Sequence, residues 1–436
     1  MAEDTRRQFV KKLGAASALA AGSFLNWNPR ALGANDKVVL GLIGGRNQGK
    51  GDALRAIKAG AELKTFCDLD QAILDKVNPE FAEAQGKAPG TTKEFQRLLD
   101  DKDIDGVIIA TPDHWHARIG ILACQAGKDI YIEKPLTQTI RDGQMVRDAV
   151  RKYKRVAQVG TQRRSAPQFQ QAIAYLKTGK LGKLCEINTW ECQLRPSIGN
   201  PPDSDPPRTV DYDVWLGPAP LRPFNSNRFH YNWRFFWDYG NSELGNQGVH
   251  MLDVALWGIQ TLRGGLEGSL PTHVSGNSGI YWLKDAKEVP DTQMLTYDYG
   301  DFMLTWELRS FAPQHPIYGY RDGVAFIGSE ATLVLHQQGW DVYFRDGSLG
   351  PSAQGEDLES GLHERNFLEC VRSRQTPNAD VEFGRLSTTI CHLGNITTHL
   401  RRDVVFDPKT ETFGHDKAAN AYLTREHRKP YVTPEA

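Results

Sequence analysis

The sequence predicts two domains of different class: an N-terminal α/β domain with a parallel sheet, then a larger α+β domain on an open, mostly antiparallel sheet. Three observations carry this. Residues 37–135 repeat a continuous apolar run, a turn and a helical stretch, as buried parallel strands joined by helices do. From residue 184 the pattern becomes alternation of apolar and polar residues around glycine-rich turns, which suits half-buried antiparallel strands. The chain has 436 residues, more than the roughly 250–300 at which a single core stops growing.

The first 34 residues stand apart. Thr5, Arg6, Arg7, Phe9 and Lys11 precede a weakly apolar stretch over residues 13–25, and the small residues Ala31, Gly33 and Ala34 follow. The stretch falls short of the ~20 strongly apolar residues that span a bilayer. A charged start, a short apolar core and small residues make a signal peptide. The arginine pair resembles a twin-arginine (Tat) signal, an address read by a receptor. The expectation is a chain exported folded by the Tat machinery to a periplasmic or other extracytoplasmic space. No later segment is apolar enough for membrane insertion. Charge is balanced, 52 Lys+Arg against 53 Asp+Glu with no basic block, which argues against a nucleic-acid partner. Cys67, Cys124, Cys185, Cys192, Cys370 and Cys391 form no C-x-x-C pair. An even count would permit disulfides in an exported protein; folding in the reducing cytoplasm favours free buried thiols instead.

Residues 35–155 form the first domain. Val38–Ile43 is a continuous apolar run, then a glycine cluster, then the helical pattern of Ala53, Leu54 and Ile57; a second strand, Glu62–Cys67, ends at Asp68. Strand, glycine turn, helix, strand and acid make a mononucleotide-binding βαβ unit of the Rossmann type. A pyrophosphate would sit at the helix N-terminus, where free N–H groups and the positive dipole end meet it. Gly44, Gly45, Arg46, Asn47, Gln48 and Gly49 are the candidate cradle. Arg46 stands where the G-x-G-x-x-G pattern has its second glycine. Asp68 can accept hydrogen bonds from the ribose hydroxyls and would repel a 2′-phosphate, which favours NAD over NADP. Arg46 weakens that preference, and NADP stays open. Gly106–Ala110 and Ile130–Ile132 are further strands, ending at Thr111-Pro112 and at Glu133-Lys134-Pro135. Ligands of open α/β sheets bind at such carboxyl ends.

"ATPDHWH" followed by "EKPL" resembles the Gfo/Idh/MocA family of nicotinamide-dependent sugar and polyol oxidoreductases. The resemblance covers roughly residues 37–432 and is to a Tat-exported bacterial environmental subgroup, glucose–fructose oxidoreductase-like. It implies that Thr111 and Pro112 pack beside the nicotinamide half, that Glu133 holds its ribose, and that Lys134 touches the reacting substrate hydroxyl. It also implies a cis bond at Pro135 that turns Lys134 into the cleft. His114 and His116 form an H-x-H pair, but no third ligand at matching spacing accompanies them, so no metal is assigned. One starts the helix, and His116 is assigned to the cofactor cleft.

Residues 156–436 form the second domain. A helix at Pro167–Thr178 precedes the alternating strand "LCEINTWECQL"; "THVSGNSGIYWL", a hairpin over Asp291–Leu308 turning at Gly300-Asp301, and "GVAFIGSEATLVLHQQGWDVYF" continue the sheet. The family resemblance implies that its free face makes a homodimer or tetramer. Gly248–Gly258 has helical periodicity with His250 in its first turn. It is similar to the family's D-x-G-x-H-x-x-D segment, which carries an acid/base at the His. Here Asn246 replaces the leading Asp, while His250 and Asp253 are kept. Trp233, Phe235, Phe236, Trp237 and Tyr239 divide between pocket wall and core, with Trp237 assigned to substrate. Arg163 and Arg164 divide between substrate contact and surface charge, with Arg163 assigned to substrate. "HERNFLECVRSRQTP" and "GRLSTTICHLGNIT" resemble the subgroup's two closing helices.

The chemistry expected is oxidation of a secondary hydroxyl of a sugar or glycoside. A nicotinamide takes the hydride, Lys134 stabilises the developing alkoxide, and His250, with an ordinary pKa of about 6.5, takes the proton. Folded export explains a tightly held cofactor, recycled in place. That fits exchange between two sugars, or a redox-neutral glycosidase that oxidises, eliminates and re-reduces. A non-catalytic sugar-binding protein is the reading to which the Asn246 departure points.

Overall fold

The computed structural model describes residues 37–312 and 317–436. The stretch expected to be a signal peptide lies outside the described residues. The first sheet has six parallel strands in the order β3-β2-β1-β4-β5-β6: β1 Val39–Ile43, β2 Glu62–Cys67, β3 Gly90–Thr92, β4 Gly106–Ile109, β5 Asp129–Ile132 and β6 Ala157–Val159. β1 is flanked by β2 and β4, so the strand order reverses there, and a crevice opens at the carboxyl ends. Helices α1 (Asn47–Lys58), α2 (Gln71–Gln85), α3 (Gln96–Asp100), α4 (Asp113–Gln125) and α5 (Ile140–Lys152) join these strands. β4 and β5 are buried throughout, which explains their unbroken apolar sequence. The sheet takes its sixth strand from residues beyond 155, where the sequence pattern ends the domain. Val159 and Ile132 pair directly.

The second sheet has nine strands in the order β14-β13-β12-β11-β7-β10-β9-β8-β15: β7 Leu184–Cys192, β8 His273–Gly279, β9 Thr292–Asp298, β10 Met303–Arg309, β11 Asp322–Gly328, β12 Ala331–His336, β13 Gly339–Phe344, β14 Leu349–Gln354 and β15 Val404–Val405. Only β7 and β10 pair in parallel. The β9–β10 hairpin turns where expected, with Gly300 at φ 85°, a conformation glycine adopts without a Cβ clash. Helices α6 (Pro167–Leu176), α7 (Tyr212–Leu216) and α8 (Val249–Arg263) follow the first domain. α6 and α8 pack against the sheet, and buried Leu252, Leu256, Trp306 and Phe326 share one apolar core there.

Two long-range connections fix the first domain. Helix α9 (Leu362–Ser373) returns to it, placing Phe367 and Leu368 in one cluster with Val38 and Leu40. Helix α10 (Val381–Leu400) packs against α5 and α8. The last residues then run over α4 and α5: Gln125 donates to Glu435 O at 3.0 Å, Lys152 to Ala436 O at 2.8 Å and Arg118 to Val432 O. All six cysteines are free; five are buried and Cys185 is exposed. Among the described residues no helix is long and apolar enough to cross a membrane.

Candidate functional site

The crevice at the carboxyl ends of β1, β4 and β5 is one cavity of about 460 Å³. Gly44, Arg46, Asn47, Gln48 and Asp68 line one end. The turn closes tightly: Gly44 has φ 91°, and a Cβ at Gly49 would lie 2.0 Å from Gly44 O. Arg46 has φ −88°, which any residue adopts, so the turn survives the missing second glycine. Gly45 and Gly49 are buried beneath the turn. Asp68 accepts from the N–H groups of Gly45 (2.9 Å) and Asp70 (3.0 Å). Burial raises its pKa, and those two bonds oppose the rise.

Thr111, Pro112, Glu133 and Lys134 line the middle. The Lys134–Pro135 peptide is cis. Thr111 Oγ1 and Glu133 Oε1 are buried and make no hydrogen bond to a described residue. Glu133 rests on Gly160, where a Cβ would lie 2.1 Å from Oε1. Burial pushes its pKa up to about 7, with Lys134 opposing. Below, one guanidinium gathers three carboxylates: Arg55 donates to Asp52 Oδ1 at 2.5 Å, to Glu364 Oε1 at 2.7 Å and to Glu359. Glu364 comes from α9, far away in sequence.

Asn246 and His250 complete the wall. Residues Leu244–Gly248 form a wide, π-helical turn ahead of α8, a local widening common at functional sites. Lys134 Nζ donates to Asn246 O at 2.9 Å. Burial lowers the Lys134 pKa, Glu133 raises it and Arg234 lowers it further. His250 lies at the mouth of α8 with Nδ1 buried and unbonded among described residues. Burial holds its pKa well below 6.5, and Lys134 and Arg163 add to this. The ring is therefore neutral at pH 7, as a proton acceptor must be, but it is a weaker base than an ordinary histidine.

Four assigned residues serve other purposes. His116 does not line the cavity; its ring nitrogens lie 2.9 Å from Thr111 O and Pro135 O, so it braces the two motif loops against each other. Arg163 is buried in an ion pair with Asp322 at 2.7 Å. Asp253 is locked by Arg164, at 2.8 and 2.9 Å. Buried charges persist only when paired, so these are internal struts. Trp237 packs on His399 with ring centroids 4.2 Å apart and donates Nε1 to Glu288 O. Of the aromatic run only Trp233 reaches the cavity; Phe235, Phe236 and Tyr239 are core. Asn246 lines the cavity, but its amide accepts from Arg234 Nη1 at 2.8 Å and donates to Glu243 Oε2 at 2.9 Å.

Asp113 and Arg234 are among the lining residues that escaped the sequence reading. Asp113 follows Thr111-Pro112 and accepts from Asn241 Nδ2 at 2.8 Å; burial pushes its pKa up to about 7, with Asn241 and Lys134 opposing. Its position just past a strand end was a usable signal. Arg234, the cation inside an aromatic run, was another.

A dinucleotide fits these residues. The tight glycine turn leaves the α1 N-terminus open to a pyrophosphate, Asp68 stands at the end of β2, and the unbonded Thr111 and Glu133 oxygens await partners. Residues 37–161 match the family model described as "Oxidoreductase family, NAD-binding Rossmann fold", and residues 193–299 and 357–433 match its "Oxidoreductase family, C-terminal alpha/beta domain". Levoglucosan dehydrogenase of Pseudarthrobacter phenanthrenivorans is 35% identical over 153 residues, 33% of this chain and 38% of that protein. Alpha-N-acetylgalactosaminidase of Shewanella oneidensis is 31% identical over 159 residues, 31% of this chain and 35% of that protein. The matches thus span about a third of those relatives. A solved levoglucosan dehydrogenase in complex with NADH and levoglucosan superposes with TM-score 0.64 at 19% identity, covering 85% of this chain and 99% of that one, a likeness of fold. With both its nucleotide-binding and its C-terminal domain matched, the chain belongs to the Gfo/Idh/MocA oxidoreductase family.

Proposed function

We propose that this protein is an NAD-dependent oxidoreductase acting on a secondary hydroxyl of a sugar or glycoside, exported folded with its cofactor tightly held. The observation that carries the reading is the meeting of Lys134, Asn246 and His250 in one cavity with the glycine turn and Asp68. Bound NAD would accept the hydride. The chain's own residues would handle the proton. Lys134 Nζ donates a hydrogen bond to the substrate oxygen as its O–H bond breaks, and the neutral His250 ring accepts the proton. The relatives named as a sugar dehydrogenase support the substrate class.

A second reading is redox-neutral cleavage of a glycoside, supported by the match to an alpha-N-acetylgalactosaminidase. Product analysis separates the two. Oxidation leaves a ketone and a reduced cofactor, whereas redox-neutral cleavage leaves a hydrolysed sugar with no external acceptor. The primary test is the mass and absorbance of material released on denaturing the purified protein. Release of a pyridine dinucleotide is the expected result. No release, together with no calorimetric affinity of the emptied chain for NAD or NADP, overturns the reading.

The leading arginines support export. Folding before translocation would let the chain capture its dinucleotide where that cofactor is abundant. The boundaries near residues 35 and 155 and assembly through the open sheet belong to the same proposal.

A further inference from the structure

Two cations meet on one residue beside the reacting position. Lys134 Nζ donates to the backbone oxygen of Asn246, and Arg234 Nη1 donates to its side-chain oxygen. Arg234 is among the groups that lower the Lys134 pKa. Holding two cations this close in a partly desolvated cavity is costly without a counter-charge. An aspartate at position 246 would supply one; this chain has an amide there instead.

Glu133, Asp113 and Glu243 act on Lys134 through space, and Glu243 and Asp113 on Arg234, but among the described residues no carboxylate hydrogen-bonds to Lys134 Nζ or to the Arg234 guanidinium. Glu243 is already held by Arg195 through two bonds, at 2.9 and 3.0 Å. Asp322 is held by Arg163 at 2.7 Å. Asp113 is bonded to Asn241 and not to either cation.

Arg234 is also under-used. A guanidinium has five N–H donors. Among the described residues Arg234 engages two acceptors, Tyr231 O at 2.8 Å and Asn246 Oδ1 at 2.8 Å, and neither is a carboxylate. The faces of Tyr231 and Trp233 lie 4.1 and 5.2 Å from its carbon, so stacking holds the guanidinium in place. The remaining donors border the cavity that both Arg234 and Lys134 line.

We infer that Arg234 is a specificity-determining residue that binds an anionic group of the substrate, and that the substrate is a sugar acid or its glycoside, carrying a carboxylate on the ring being oxidised. A planar guanidinium matches a carboxylate in charge and geometry. The anion would restore the charge missing at position 246 and let Lys134 remain an ammonium beside the reacting oxygen. This rests on the sugar-oxidoreductase reading and adds the substrate's charge to it.

The test uses the purified protein loaded with NAD and matched sugars: the methyl glycosides of glucose and glucuronate, galactose and galacturonate, and mannose and mannuronate. Binding is read by calorimetry and turnover by absorbance of the reduced cofactor. A sugar 6-sulfate and a 6-phosphate separate carboxylate recognition from general anion binding. The expected result is that a uronide binds at least about 30-fold more tightly than its neutral partner. Arg234→Met should remove that preference, Arg234→Lys should keep part of it, and calorimetric NAD affinity should be unchanged in both. Tighter binding of neutral sugars, of the sulfate or phosphate ester over the uronide, or of no uronide at all overturns the inference while NAD binding still stands. Loss of NAD binding by the unaltered chain would instead overturn the reading beneath it.

Discussion

Lys134 spends one bond on the backbone of Asn246 and has Glu133 on one side and Arg234 on the other. Its placement makes a sharp prediction: Lys134→Ala lowers kcat by about 10²–10⁴-fold while the circular dichroism melt stays near that of the parent. Undiminished turnover would remove it from the mechanism. Asp113 makes a prediction about stability. Its folded pKa of about 7 lies above its unfolded value of about 3.9. The folded state therefore holds an extra proton between those values, and stability falls as pH rises through that window. Asp113→Asn escapes the penalty. Its advantage over the parent should be absent at pH 4, grow to about 1–3 kcal/mol by pH 8, and be accompanied by weaker turnover. Urea melts across that range would check it. The Arg164–Asp253 strut behaves differently. Arg164→Ala leaves a buried carboxylate unpaired and should cost about 3–5 kcal/mol, with part of the loss recovered in the Arg164→Ala, Asp253→Ala double variant.

At the level of elements, the turn between β1 and α1 governs the cofactor end. Gly49→Ala drives a Cβ against the backbone oxygen of Gly44, an obstacle that cannot rotate away. A loss of about 2–4 kcal/mol and weakened NAD binding by calorimetry are expected. This turn was legible in the sequence because strand, glycine cluster, helix and Asp68 follow one another within one βαβ unit. The strands at β4 and β5 were legible for the same local reason, as was the α8 helix bearing His250. What escaped was non-local. Glu364 reaches the carboxylates beneath Glu133 from α9, and no local pattern announces a contact across the whole chain. Asp253 entered the expected site with the segment resembling D-x-G-x-H-x-x-D, and Arg163 stood between substrate contact and surface charge. Asp253, less than a turn along α8 from His250, is fully buried and has both carboxylate oxygens taken by Arg164. His116 on α4 spends both ring nitrogens on the backbone oxygens of Thr111 and Pro135, which no local sequence pattern announces.

On the scale of the whole molecule, the two domains are held by chain that leaves one and returns to the other. Helix α9 crosses back into the first core, and the final residues bind over α4 and α5 through their backbone oxygens. The active cavity lies between surfaces so joined, since Lys134 comes from one side and His250 from the other. The six-stranded and nine-stranded sheets were both expected as classes, whereas β14 and β15 were not, because short edge strands carry little alternation. The free thiols have a practical corollary. With five sulfhydryls sealed inside and Cys185 alone at the surface, a maleimide dye would attach at a single defined place on β7. That gives a ready reporter of whether two copies meet across the broad sheet, with no engineered handle needed.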